Sequence, residues 1–228
     1  MVKKKVIVAI QARVMSERLK GKVFFNFFGE AIIDRVIKII KKTSFEKEIA
    51  ILSGNLEINE IFRKYSNKYG IQIYFGSELN VLKRFKDFIK DNNYKKNFIL
   101  RITSDNYLIQ PHILNKIVQL GVDGNYDYTY IRPLSHYAGE LIKAEVLLNE
   151  KIKNKEIQNH VTIGIRDNKN LKKLALNKYF CGIDHEKYFT LDTVLDLYKL
   201  RILEFKFPGL RKLNCLECLK KIQKNWKF

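Results

Sequence analysis

The apolar positions of this chain follow two rhythms. Residues 5–10, KVIVAI, hold an unbroken apolar run over 6–10, the pattern of a strand covered on both faces. Residues 30–42, EAIIDRVIKIIKK, instead place Ile32, Ile33, Val36, Ile37 and Ile40 at helical spacing. The alternation continues. Strands are predicted at 47–53 (KEIAILS), 71–75 (IQIYF), 97–103 (NFILRIT) and 126–131 (YDYTYI). Helices are predicted at 57–69, at 79–91 and from Pro111 to about 120. The first of these puts Ile58, Ile61, Phe62 and Tyr65 on one face and stops at Gly70, and Pro111 suits a first helical turn. Beyond 132 the pattern is less regular. A polar segment, 132–140, leads into an apolar stretch and a helix, and further helices are expected at about 156–167, 193–206 and 214–225.

Strands alternating with helices at these short intervals predict an α/β fold, three layers built on a central, mostly parallel sheet. Crossovers in such sheets are right-handed, and ligands bind outside the carboxyl ends of the strands. Functional residues are therefore expected just after strands, at 11–22 and at 103–107. No internal repeat or low-complexity linker divides the chain. One domain over residues 1–228 is expected, with helices 193–225 packed on it.

Composition adds limits. The chain has 228 residues, 46% of them hydrophobic, which suffices for one full core. Lys interrupts every apolar run, so no membrane span is expected. The basic start MVKKKVIVAI has too short an apolar part for a signal peptide and reads as a first strand, which points to a cytoplasmic location. The net charge of +19 invites a nucleic-acid reading. The cations argue against it: 33 are Lys and only 10 are Arg, and they are spread along the chain. With abundant Ile and Asn, they look like the coding bias of an A+T-rich genome. A nucleic-acid binder concentrates its cations, favours Arg and adds stacking aromatics. The charge instead suits anionic small molecules or an anionic membrane surface. Cys181, His185, Cys215 and Cys218 could form a zinc site on paper. However, Cys215, Cys218, Leu219 and Ile222 fall at the spacing of a buried helical stripe, which is the simpler reading.

Three stretches could carry chemistry. VAIQARVMSERLKGKV, 8–23, leaves the first strand and holds Arg13, Arg18, Lys20 and Lys22, at a place where backbone N–H groups can cradle phosphates. The cation count is not far above what composition alone gives, so position carries more weight. In RITSDNYLIQP, 101–111, Asp105 stands just past a strand. In YFTLDTVLDLYKL, 188–200, Asp192 precedes a helix. Each aspartate alone is explained by a turn or a helix cap. Together they could meet on one Mg²⁺, which takes a few carboxylates along with water and substrate phosphates. With a basic loop beside them, the parts suit nucleotidyl transfer.

In that order, IQARVMSERLKGKVF, GSELNVLKRF, RITSDNYLIQP, NHVTIGIRDN and FTLDTVLDL resemble the cytidylyltransferases of the spore-coat-polysaccharide type, relatives of the CMP-sialate and CMP-deoxyoctulosonate synthetases. The resemblance runs from residue 4 to about 205. It implies a single-domain, Rossmann-like and GT-A-like nucleotidyltransferase fold, CMP transfer from CTP to an anionic acceptor with Mg²⁺, and a homodimer. Position by position, it implies that Arg13, Ser16, Arg18 and Lys22 bind the phosphates, with Gly21 before the Lys. Asp105 and Asp192 would hold the metal. Gln11, Ala12 and Arg101 would lie by the cytosine and ribose. Arg84, Tyr137, Glu140 and His160 would face the acceptor. Arg13, Lys22, Asp105 and Asp192 would form the catalytic set.

The chain departs from the family pattern at several places. Met15 and Glu17 stand where the family loop has Gly and Thr, Lys20 replaces a Pro, Ser104 replaces a Gly before the metal Asp, and Ala138 replaces an acceptor-side Asp. Met15 could crowd a backbone that approaches a nucleotide, and Glu17 would repel a triphosphate. Two rival readings follow: a nucleotide-sugar-dependent glycosyltransferase, and a relative that has lost catalysis. The first usually has a D-x-D motif where this chain has Ser104-Asp105-Asn106.

Overall fold

The first apolar run becomes β1 (Val6–Gln11), at the centre of the sheet. The computed structural model describes residues 5–16, 18–151, 158–187 and 189–225. Val6 to Ile10 are all buried, and successive residues feed opposite cores. After a small ladder of β2 (Asn26–Phe27) and β3 (Glu30–Ala31), the chain alternates as predicted. It forms α1 (Ile32–Lys41), β4 (Lys47–Ser53), α2 (Leu56–Asn59), α3 (Arg63–Tyr69), β5 (Gln72–Phe75), α4 (Val81–Asp91), β6 (Phe98–Thr103) and α5 (Pro111–Asp123). There follow β7 (Tyr128–Ile131), β8 (Glu140–Lys143), α6 (Ala144–Asn149), α7 (Ile163–Asp167), β9 (Lys173–Leu176), α8 (Val194–Lys206) and α9 (Leu216–Asn225).

Among the described residues, seven strands form one sheet in the order β5-β4-β1-β6-β8-β7-β9. β5, β4, β1 and β6 run parallel, β8 runs antiparallel to both neighbours, and β7 and β9 pair in parallel. Val6, Val8 and Ile10 pack with α1, α3, α5, α8 and α9 on one face. Ile7 and Ala9 pack with α4, α6 and α7 on the other. The result is the three-layer, mostly parallel α/β architecture that the pattern predicts. No described helix is long and apolar enough to cross a membrane.

Some local expectations fail for identifiable reasons. A 3₁₀ turn at Glu60–Phe62 interrupts the helix expected over 57–69. It rotates the apolar face, so that Phe62 and Tyr65 are buried while Ile58 and Ile61 are 44% and 46% exposed. β7 is buried at all four residues rather than alternating, because both faces of the sheet are covered there: Tyr128 and Tyr130 pack into one core and Ile131 into the other. β8 and β9 carry no strand signal in the sequence. Part of the helix expected over 156–167 falls outside the described residues, and a turn at 160–162 precedes the short α7.

The register brings the two predicted functional loops together. Gln11 at the end of β1 lies opposite Thr103 at the end of β6, and the Ser104 N–H donates to the Gln11 carbonyl at 3.0 Å. Parallel neighbours release their loops on the same side of the sheet, so residues after 11 and after 103 share one crevice.

Candidate active site

The first loop is folded around Val14. Its carbonyl accepts from the N–H groups of Ser16 and Gly21, at 3.1 and 2.8 Å. Its own N–H donates to Oδ1 of Asn59 at 3.0 Å. Asn59 is fully buried, and its amide nitrogen donates to the Asn55 carbonyl and to Glu78. Gly21 closes the loop at φ 67, a left-handed conformation that a Cβ would strain. It caps the 3₁₀ turn Lys22–Phe24 and delivers the Lys22 side chain inward. Met15 is exposed, and Glu17 lies outside the described residues.

Lys22 meets both candidate aspartates. Its Nζ donates to Oδ2 of Asp105 and, at 2.7 Å, to Oδ1 of Asp192. Arg18 reaches the same Asp192 oxygen at 3.0 Å. Arg13 stands 4.0 Å from Glu78. The simple cap explanation for Asp192 does not hold. Thr193 is the N-cap of α8, in a reciprocal capping box with Asp196. Asp196 also accepts from the Asp192 N–H at 3.1 Å, which fixes the backbone and leaves the Asp192 carboxylate for the cleft. Burial opposes ionisation of Asp105, but the Lys22 ammonium, with hydrogen bonds from Thr103 and the backbone, outweighs it and holds the carboxyl below its usual range. Burial likewise opposes the charge on Lys22, and the two carboxylates nonetheless raise its pKa.

Gln11, Ala12, Arg13, Ser16, Arg18, Lys22, Arg84, Arg101, Asp105, His160 and Asp192 line one cleft of about 480 Å³. Thr103 and Ser104, within the stretch 103–107 that the pattern predicts, line it as well, as do Asn159 and His136, neither of which the sequence singles out for function. His136 sits on the irregular segment where the pattern gave no element, and its Nδ1 is 3.3 Å from Oδ1 of Asn106. Burial lowers its pKa, against the pull of Asp105 and Asp192.

Of the four residues expected to face the acceptor, Arg84 and His160 line the cleft, and Tyr137 and Glu140 do not. Tyr137 is fully buried and donates its hydroxyl to the Lys187 carbonyl, so it faces the core. Glu140 is buried opposite Arg101 on β6, where it accepts from Arg101 and from the Tyr128 hydroxyl. Arg84 reaches the cleft but is fully buried, and its guanidinium donates to the carbonyls of Leu52, Ser77 and Glu78. Burial lowers its pKa to about 10. Of the four, only His160 is exposed. The cysteines are free thiols, and Cys215, Leu219 and Ile222 form the buried stripe. Cys215 Sγ accepts from Gln110, and His185 is engaged with Ser135 and the Phe180 carbonyl.

A divalent cation fits the pair of aspartates. Two carboxylates from loops 87 residues apart already converge on one ammonium, so the site favours positive charge at a single point. Among the described residues no cluster of three or more His, Cys, Asp or Glu is poised for a metal. Two hard oxygen ligands that leave positions for water and phosphate oxygens suit Mg²⁺ better than a closed protein cage would.

A family profile described as Cytidylyltransferase matches residues 7–222. The spore coat polysaccharide biosynthesis protein SpsF of Bacillus subtilis is 29% identical over 208 residues, covering 87% of this chain and 85% of its own length. A cytidylyltransferase structure from Leptospira borgpetersenii superposes with a TM-score of 0.82 at 22% identity, covering 97% of this chain and 95% of that one. A CMP:2-keto-3-deoxy-manno-octonic acid synthetase complexed with CTP gives 0.64 at 13% identity, covering 89% and 99%.

Proposed function

The chain belongs to the cytidylyltransferase family, and from that premise we propose that it transfers CMP from CTP to an acidic sugar or related anionic acceptor, releasing pyrophosphate, in surface-glycan biosynthesis. The observation that carries the reading is the convergence of Asp105 and Asp192 on Lys22, beside Arg18 and below the ends of β1 and β6. The SpsF relative supports the glycan setting.

In this reading the acceptor oxygen attacks the α-phosphorus. A bond from that oxygen to phosphorus forms, and the bond from phosphorus to the bridging oxygen of pyrophosphate breaks. Asp105 and Asp192 would hold Mg²⁺, which when bound supplies charge stabilisation at the phosphates. Arg13, Arg18 and Lys22 bind the β- and γ-phosphates and offset the charge that builds on the leaving pyrophosphate. Ser16 offers its backbone and hydroxyl to the same phosphates. Gln11, Ala12 and Arg101 line the nucleoside end. His160, with Asn159, stands on the rim, where it orients the acceptor and takes its hydroxyl proton. The enzyme works as a homodimer, which light scattering of the purified protein checks.

The test is pyrophosphate release from CTP and Mg²⁺ over a panel of acidic sugars and sugar phosphates. Asp105→Ala should lower the rate by about a thousandfold or more. Wild-type release by the variant would sink the metal assignment. Stabilisation of the wild-type protein by a UDP-sugar and not by CTP would favour glycosyl transfer instead.

A further inference from the structure

The stretch GSELNVLKRF, 76–85, follows β5, and the reaction proposed above uses none of it. Its Glu78 belongs to a set of contacts centred on Asn59, the last residue of α2, which is fully buried. Oδ1 of Asn59 accepts from the Val14 N–H at 3.0 Å. Its Nδ2 donates to the Asn55 carbonyl at 2.9 Å and to Oε2 of Glu78 at 3.1 Å. The same Glu78 oxygen accepts from the Asn55 N–H at 3.0 Å. The loops after β1, β4 and β5 thus meet at one amide.

The partners leave Asn59 a single orientation. A flipped amide would set its nitrogen against the Val14 N–H, and its oxygen against a carbonyl and a carboxylate. Glu78 is fixed in turn. Arg84 donates to the carbonyls of Ser77 and Glu78 and so pins that backbone to α4. Gly54 leaves room for the carboxylate, since a Cβ there would lie 1.5 Å from Oε2 of Glu78. At the other end of the amide, Val14 is the centre of the first loop, and its carbonyl takes the N–H groups of Ser16 and Gly21. By holding Val14, Asn59 sets where Ser16 stands and where the glycine before Lys22 stands.

We propose that Asn59 is a positioning residue for the β- and γ-phosphates of the nucleotide, and that Glu78 holds it in the polarity this requires. The inference rests on the reading that the first loop binds the phosphates of CTP. Ser16, Arg18 and Lys22 can grip a triphosphate together only if their donors keep fixed separations, and a shift of about 1 Å forfeits much of that fit. Without Asn59 the Val14 N–H loses its acceptor, and the loop is no longer tied to its neighbours at that point. Gln11 and Arg101 belong to β1 and β6, so the nucleoside end is held by the sheet and not by Asn59. The cost of losing Asn59 therefore falls on the outer phosphates.

The experiment is titration calorimetry of CTP and CMP with Mg²⁺ and no acceptor, with melting temperatures as a check on folding. The wild-type protein should bind CTP at least about tenfold more tightly than CMP. Asn59→Leu removes the bonds to Val14, Asn55 and Glu78, and should weaken CTP by about tenfold or more while CMP stays within about threefold. Glu78 is partly exposed, so its variants put less of the fold at risk and carry the test if Asn59→Leu does not fold. Glu78→Leu should lower the CTP to CMP ratio in the same direction. Glu78→Gln loses the same charge beside Arg13 but offers an amide oxygen in place of Oε2, and should keep the ratio within about threefold of the wild type. Folded Asn59→Leu or Glu78→Leu proteins that keep the wild-type ratio, or that lose CTP and CMP alike, would overturn the proposal. Equal falls in the two Glu78 variants would overturn it in favour of charge alone. Failure of the wild-type protein to prefer CTP over CMP is a separate result, which would overturn the phosphate-loop reading and this inference with it.

Discussion

Lys22 does two things at once at the residue scale. In the proposed reaction it offers a cation to incoming phosphates, and in the structure it neutralises Asp105 and Asp192, two carboxylates that would otherwise repel each other across the cleft. Its side chain is only 12% exposed, so solvent does little to screen that repulsion when the ammonium is gone. Lys22→Met should therefore cost about 2–3 kcal/mol in the absence of metal, a fall of roughly 4–12 °C in Tm. Mg²⁺ should restore more stability to the variant than to the wild-type protein, because in the latter the ammonium competes for the same oxygens. Scanning calorimetry with EDTA and with Mg²⁺ measures both effects. Equal Mg²⁺ shifts in the two proteins would mean that the aspartates do not share a cation. These three residues were legible in the sequence because each follows an apolar strand or precedes a helix. The surroundings of Tyr137 and Glu140 were not legible, because only the pairing of β8 with β6 shows that Glu140 faces Arg101.

At the scale of elements, long periodic segments were read nearly to the residue, while β8 and β9, four residues each, were missed. β5 and β7 are equally short but aromatic-rich and were read, whereas β8 (ELIK) and β9 (KLAL) have neither aromatic enrichment nor a period that separates them from helix. What holds this end of the sheet is also invisible in the pattern. Asp127, just before β7, accepts from the Lys172 N–H and from Lys143 Nζ, each at 2.8 Å, and so ties the ends of β8 and β9 to β7. Burial works against its charge, but these two donors prevail and hold the carboxyl below its ordinary range. The sign of the linkage follows. A carboxyl whose folded pKa lies below its unfolded value stabilises the fold fully above the unfolded value, about 3.9, and ceases to do so as pH falls through the folded value. Asp127→Asn should lose about 1 kcal/mol near pH 7 and progressively less as the medium is acidified below about pH 4. Urea midpoints across that range are the measurement. A loss that stays constant with pH would show that shape, and not charge, is what Asp127 supplies.

At the scale of the whole molecule, the sequence shows that two helices follow Asp192, but not how they are fastened. The fastener is Arg35, which in the sequence is one polar position within an apolar helix. It is fully buried. Its Nε donates to the Tyr107 carbonyl at 2.9 Å, and its two terminal nitrogens donate to the carbonyls of Leu210, Arg211 and Lys212 at 2.6, 3.2 and 3.0 Å. One guanidinium thus joins α1, the loop that follows Asp105, and the turn between α8 and α9. Lysine could not reproduce this, because a single ammonium lacks the planar fork that spans four carbonyls. Arg35→Met keeps much of the volume but leaves those carbonyls without a donor, and should cost about 3–5 kcal/mol. Arg35→Lys should fall between Met and the wild type. The loss should be local first. Amides of α9 and the segment 207–215 should exchange hydrogen much faster in Arg35→Met, while those of β1 keep more of their protection. Because Tyr107 is two residues from Asp105, the affinity for nucleotide should weaken along with the fastening of α9. Uniform loss of protection in α9 and β1 would make Arg35 a contributor to global stability alone. Faster exchange confined to α9 and the loop after Asp105, with weaker nucleotide binding, would mean that one buried cation holds both the C-terminal helices and the Asp105 loop in place.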